Sequence, residues 1–291
     1  MSEKTKSLRR SQIASNVAVY IILTVLSIIW LLPIAWLILS SFRLEGGAFV
    51  KYIWPKQLGF DNYVKLFTNK ERNFVLWCTN TLTVAIFSCI LSTLFTLCSS
   101  FALSRMRFKM RKTIMNIALI LGMFPGFMSM IAIYHILKLL NLNQSLVALV
   151  LVYSGGAGLN YHICKGFFDT IPKELDEAAM IDGATRFRIF WQITIPLSKP
   201  MIIYTVLTSF LAPWTDFIFA SFIMQGKSDL FTVSVGLWSM LERESISEWY
   251  LPFCAGAVVI SIPITALFLF MQKYYAERSE ERRVGKECGC V

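Results

Sequence analysis

The sequence predicts an all-α integral membrane protein with six transmembrane helices. Three observations carry that expectation: 56% of the 291 residues are hydrophobic, the apolar residues gather in six long runs, and Lys and Arg fall in short clusters between the runs. A helix needs about 20 mostly apolar residues to cross the hydrocarbon layer. The runs are 17–39, 80–103, 113–137, 145–164, 201–224 and 253–274. The first follows Lys4, Lys6, Arg9 and Arg10 and so begins like a signal peptide. It is too long for one and lacks a small-residue cleavage site, so residues 1–16 are expected to stay as a short N-terminus before an uncleaved anchor.

Orientation follows from the positive charges, because Lys and Arg near span ends are retained on the cytoplasmic side. With the N-terminus inside, 19 of the 28 Lys and Arg lie in inside segments and nine outside. Both termini are therefore expected to be cytoplasmic. The formal charge of +10 raises nucleic-acid binding, but no element carries a basic stripe, and that function is set aside. The seven cysteines are scattered without disulfide or zinc spacing. His135 and His162 have no ligand partners at metal spacing, so no metal site is expected.

The segment between spans four and five, residues 165–200, is punctuated like two short helices. Asp169 or Thr170 is placed to cap the first, Pro172 suits its first turn, and Glu174, Asp176 and Glu177 sit where the helix dipole favours acids. Gly183 stops it by taking a left-handed conformation, and Thr185 caps the second helix, which runs to about Ile195 before Pro196 breaks it. At roughly ten residues each, about 15 Å, neither crosses a membrane. Phe187, Phe190 and Trp191 give the second helix an apolar face suited to packing under the span ends. The first offers Ala178 and Ala179 flanked by Glu177 and Asp182, a smooth surface with charged edges. Two readings stand at this point: a docking element for another protein, or an interfacial helix that covers the floor of the bundle.

Resemblance favours the first. Glu177, Ala178 and Ala179, then Gly183, Ile193, Ile195 and Pro196, resemble the EAA loop of ABC importer permeases, with Ile195 where Leu is usual. Ser40-Ser41-Phe42, Phe60-Asp61-Asn62-Tyr63, Phe101-Ala102-Leu103-Ser104-Arg105 and Ile171-Pro172-Lys173-Glu174-Leu175 stand at familiar places for the carbohydrate branch. Trp214-Thr215-Asp216-Phe217-Ile218-Phe219-Ala220 is similar to the shorter maltose and maltodextrin permeases of Gram-positive bacteria. The resemblance implies a type I ABC transmembrane domain over 17–277 in a bacterial plasma membrane, with 165–200 as the loop that couples to the ATPase. It also implies partners: a second permease subunit, two copies of an ATP-binding subunit, an extracytoplasmic sugar-binding protein, and membrane lipid. From Arg278 the resemblance stops, and 278–291 is read as a non-native or disordered tail.

The chain contains no Gly-x4-Gly-Lys-Ser/Thr element, so ATP and Mg are expected on the partner ATPase, with no cofactor and no catalysis here. Gly155-Gly156-Ala157-Gly158 lies within a span and is read as close helix packing or local unwinding. An ion-coupled secondary transporter would need several embedded charges and inverted repeats, and a membrane-embedded enzyme would need paired carboxylates or a metal cluster; neither pattern is found. Asp216 is the acid within a span, about 22 Å along the fifth, with Pro213 expected to kink the helix beside it. Pro213, Trp214 and Asp216 either shape the translocation path or its outer gate, or Asp216 is paired locally with Trp214 as an interfacial belt residue. The outside loop from 225 to 252 holds Trp238, Glu244 and Trp249, which either contact the binding protein or form an ordered cap.

Overall fold

A computed structural model describes residues 3–45, 52, 54–124, 126–157 and 161–287, and the side chains of those lying between 15 and 272, Ala157 apart. Gly158 and the last four residues of the predicted tail lie outside that set. The described elements are helical: α1 (Glu3–Ser41), α2 (Asp61–Thr68), α3 (Phe74–Arg105), α4 (Arg111–Gly122), α5 (Gly126–Leu139), α6 (Leu146–Ala157), α7 (Tyr161–Phe168), α8 (Lys173–Ile181), α9 (Arg186–Ile189), α10 (Ile195–Leu197), α11 (Lys199–Thr215), α12 (Ile218–Met224), α13 (Val233–Ser239) and α14 (Ile246–Glu287). A π-helical turn, Phe190–Thr194, joins α9 to α10.

Three helices, over Ser15–Ser41, Phe74–Arg105 and Ile246–Gln272, are long and apolar enough to span alone, and the number reaches six if each of three bent pairs counts as one span. Spans three, four and five are each interrupted, where a kink at Pro213 in span five and packing or unwinding at Gly155–Gly156 in span four were the expectations. α4 and α5 meet at 106°, α6 and α7 at 41°, and α11 ends before α12 begins at Ile218. Span two starts six residues earlier than expected because Asn73 caps α3, its side chain accepting from Leu76 N at 3.0 Å. At Gly155 and Gly156 an added Cβ would meet nothing within 4 Å among the described residues, so close packing within this chain does not account for them; α6 ends at Ala157.

The contacts divide the chain into two compact units, 1–68 with 240–260, and 69–239 with 261–291. In the first, α1 carries an apolar surface with Trp30 75% exposed, the composition of a lipid-facing or partner-facing helix. Its end is tightly built. Asn62 donates to the carbonyls of Ser41 at 3.0 Å and Arg43 at 2.7 Å, and Ser41 Oγ meets the Tyr63 hydroxyl at 2.8 Å. Phe42 packs edge-on against Phe60, with centroids 5.4 Å apart. The Ser40-Ser41-Phe42 and Phe60-Asp61-Asn62-Tyr63 elements are therefore two halves of one knot.

The second unit is organised by α3, against which α6, α7, α11 and α13 pack. Ser88, Ser92, Thr96, Ser100 and Ser104 recur every fourth residue, and each is at most 5% exposed. Residues four apart share a helix face, and small side chains there let neighbouring backbones approach closely. Their hydroxyls also bridge: Ser100 donates to Tyr161 O at 3.1 Å and Ser92 to Tyr153 O at 3.4 Å. At the other end of α3, Asn80 donates to the carbonyls of Asp229 and Phe231, and Thr81 Oγ1 accepts from Val233 N at 2.8 Å. Gly236 lies so close to Trp77 that a Cβ would stand 2.1 Å from the ring.

A large side chain in this seam is expected to overpack it. Ser100→Leu should cost about 1–3 kcal/mol, read as a lower thermal midpoint in detergent, whereas Cys98→Leu on the exposed side of α3 should leave the midpoint unchanged. Equal midpoints would show that the seam does not limit packing.

Candidate functional site

The loop between α7 and α11 forms the expected bent pair, with changed punctuation. Asp169 and Thr170 do not cap α8. They close α7, where their amides bond back to Lys165 O and Phe167 O, and α8 begins after Pro172 at the N-cap position. The far end follows expectation. Gly183 has φ +82°, and its amide bonds to Met180 O while Ala184 N bonds to Ala179 O at 2.9 Å, the paired closure of a Schellman turn. Thr185 then caps α9, its side chain accepting from Arg188 N at 3.3 Å.

Pro196 does not break the second helix. The helical path continues through Leu197, and the sharp 83° bend into α11 follows at Ser198. The π turn explains this. With Ile195 N bonding to Phe190 O, the turn is one residue wider, which makes room for a ring that would otherwise strike the carbonyl four residues back. The apolar face also differs from expectation. Phe190 is buried and lies 4.9 Å from the Phe101 ring, joined by Ile189, while Phe187 is 73% exposed and Trp191 also faces outward.

What holds α8 in place comes from another helix. Arg105, the last residue of α3, pairs through Nε with Asp176 Oδ2 at 3.3 Å, and the two side chains are 2% and 7% exposed. Its Nη2 donates to the carbonyls of Phe168 and Ile171, each at 2.9 Å. One guanidinium thus ties the end of α7, the 169–172 connection and α8 to the end of α3. Beside it Ser104 Oγ donates to Asp169 Oδ1 at 2.6 Å, and Lys165 pairs with the other oxygen. Burial pushes the Asp169 carboxyl up, but these two hydrogen bonds with the charges of Lys165 and Arg111 outweigh it and hold the acid below its ordinary range.

With the inner side pinned, the outer side is open. Glu177, Ala178, Asp182 and Gly183 are exposed, Ala179 is half-buried against the core beneath, Ile193 is half-buried and Pro196 exposed. Ile181, 87% exposed, projects from the end of α8. The outer side of α8 is thus left without cover from the rest of the chain, with Ile181 its most exposed apolar side chain.

Asp216 stands in the gap between α11 and α12, not within a helix. The backbone turns extended there, at φ −79° and ψ 116°, three residues beyond Pro213. The interruption is stabilised by Asp216 itself: Oδ1 accepts from Phe219 N at 3.1 Å as a cap on α12, Oδ2 accepts from the Tyr153 hydroxyl at 2.6 Å, and the carbonyl accepts from Ser234 Oγ at 2.6 Å. A cavity of about 420 Å³ is lined by Asp216, Tyr153, Ser92, Thr208, Ser209 and neighbours. Pro213 is buried and Trp214 is half-buried; neither is part of that lining. In the predicted outside loop, Trp238 is exposed and rests on Phe217 at 4.8 Å, Glu244 is exposed, and Trp249 is 7% exposed beneath Lys65. Trp249 is therefore a packing residue and offers no contact surface.

Residues 95–281 match the family described as "Binding-protein-dependent transport system inner membrane component". The chain belongs to this family. It is 36% identical over 258 residues to the galactooligosaccharides transport system permease protein GanQ of Bacillus subtilis, covering 88% of this chain and 90% of that protein. Identity and coverage are the same for the maltodextrin transport system permease protein MalD of Streptococcus pneumoniae. Among solved structures, a bacterial ABC transporter involved in the import of the acidic polysaccharide alginate matches with a TM-score of 0.78 at 21% identity, covering 91% of this chain and 98% of that one. The chain is thus a multi-pass ABC permease of the bacterial plasma membrane, with the corresponding helical fold.

In this permease the sequence signals for Glu177 to Gly183 and the structure agree on an exposed turn. Arg105 and Asp176 were missed as a pair, although each lies inside an element quoted for the resemblance or for helix punctuation; their pairing joins residues 71 positions apart. Removing one partner leaves a buried charge, so Asp176→Ala should lower stability by about 3–5 kcal/mol, and the double change Arg105→Met with Asp176→Leu should recover part of it. Thermal unfolding of the three purified proteins checks this; an unaffected single variant would show that the pair carries no load. Asp216→Asn keeps a cap acceptor but not the charge, and should insert and fold normally while lowering uptake. Asp216→Ala should in addition lose about 1 kcal/mol of stability. Unchanged uptake by the Asn variant would leave Asp216 a capping residue only.

Proposed function

We propose that this chain is one transmembrane half of an ATP-driven oligosaccharide importer, and that Glu177–Gly183 is the element through which a separate ATPase moves it. The observation that carries the proposal is the asymmetry of α8: its inner side is fastened by Asp176 to Arg105, and its outer side presents Glu177, Ala178, Ile181 and the Gly183 turn to a partner. A force applied to the outer side has no slack to take up. It passes through the buried pair into α3, and α3 lines the Asp216 cavity through Ser92.

On this reading the chain has six spans with both termini cytoplasmic, three of them broken, within a transmembrane domain over 17–277. A second permease completes the path, two ATP-binding subunits dock beneath and hold ATP and Mg, and an extracytoplasmic binding protein delivers the sugar to a surface that includes Trp238 and Glu244. Closing of the ATPases tilts the helices and exchanges the side to which the cavity opens. Asp216 and Tyr153, with the hydroxyls of Thr208 and Ser209, supply the polar groups of that path. This subunit breaks no bond.

The sugar is an oligosaccharide. Maltodextrin, to which the Trp214–Ala220 element points, and galactooligosaccharides are both named among relatives at 36% identity. Uptake of labelled samples of both, by cells carrying the intact transporter, distinguishes them. In the same cells Glu177→Ala should disturb docking, and Gly183→Val should place a β-branched residue at positive φ, straining the turn by about 1–2 kcal/mol. Each should cut uptake at least about tenfold, equivalent to about 1.4 kcal/mol of coupling, while ATP hydrolysis by the purified complex no longer responds to loaded binding protein. Normal uptake and normal response in both variants would refute the coupling role.

A further inference from the structure

A cavity of about 360 Å³ lies where the end of α3, the start of α4 and the flank of α8 meet. Arg105, Arg107, Arg111, Lys173 and Arg186 line it. Asp176 and Glu177 are the acids of the lining, and Asp176 is already shared with Arg105. Five cations against two acids leave the lining positive; Asp169, bonded to Ser104 behind the wall, faces Arg111 but is already paired with Lys165.

The donors there are also incompletely used. Arg105 is 8% exposed, and while Nη2 serves two carbonyls, Nη1 is buried with no acceptor. Nε of Arg111 is buried without an acceptor as well. An unmet buried donor is costly, and more so when it is charged. Water could satisfy one donor but cannot cancel the charge. The volume exceeds the roughly 30 Å³ share of a water several-fold, and four of the five cations are guanidiniums, whose forked donors match tetrahedral oxyanions.

We infer that this pocket binds a phosphate-bearing anion, either the head group of an anionic phospholipid or free phosphate. Arg105 stands two residues beyond the predicted end of span two, the region in which basic pockets between helices hold lipid head groups. Bound there, the anion screens Arg107, Arg111 and Arg186 from one another and joins α4 to the same fastening that holds α8. The coupling element would then be stiffest when the site is filled.

The full-length permease in phosphatidylcholine nanodiscs, titrated with inorganic phosphate at constant ionic strength against chloride, tests the free anion. Discs containing phosphatidylglycerol without phosphate test the lipid. One of the two arms should raise the thermal midpoint by about 2–4 °C, and which one does so names the source. Arg107→Gln and Arg111→Gln should each abolish the rise, while Lys112→Gln, exposed and outside the lining, should retain it. Arg107 is exposed, so its variant should keep the ligand-free midpoint and separate loss of binding from loss of folding. No rise in either arm, or a rise undiminished in the Arg107 and Arg111 variants, overturns the proposal.

Discussion

The larger unit depends on how closely other helices approach one face of α3. Within lipid there is no hydrophobic gain in bringing two apolar helices together, so association rests on fit and on hydrogen bonds. The period-four series from Ser88 to Ser104 provides both, with side chains small enough for contact and hydroxyls that reach the carbonyls of α6 and the start of α7. The series ends at Ser104 and Arg105, where the same helix turns from packing its neighbours to fastening the loop beneath them. Ser92 lines one cavity and Ser104 the other, about 18 Å apart along a single rigid rod. One helix therefore contributes to the lining of both cavities.

The broken helices have a different physical basis. Backbone groups released inside a membrane must find partners, and irregular backbone is tolerated where protein groups supply them. Asp216 meets that demand at the α11–α12 gap with both carboxylate oxygens and its carbonyl. The acid that looked like a lone embedded charge is thus also the residue that allows the chain to break. Its two roles are compatible, because a carboxylate that caps α12 and accepts the Tyr153 hydrogen bond still faces the cavity.

The loop shows how a local expectation is right in kind and wrong in position. Gly183 and Thr185 behave as their chemistry dictates, since a glycine with positive φ and a hydroxyl cap need only adjacent backbone. Pro196 does not, because the π turn ahead of it relieves the clash that would have ended the helix. Asp169 was placed at the start of α8 by its residue type, yet Ser104 and Lys165 recruit it to the end of α7. A cap competes with any other donor the fold brings near.

Hydropathy and charge clustering were enough for the class of fold, because the hydrocarbon layer imposes one length and one polarity on every span. The spacing from Glu177 to Pro196 was enough for the family, because the residues that carry the resemblance stand at fixed offsets on one continuous stretch of chain. Neither could say that Phe187 faces out while Phe190 faces in, that Trp249 is buried, or that Asp176 is answered by Arg105. Those depend on which side of a short helix meets the bundle, and that is set by close packing between segments far apart in sequence. The cluster of Arg105, Arg107, Arg111, Lys173 and Arg186 is of the same kind: in sequence it is two basic loops and a helix start, and only the folded chain makes it one positive pocket.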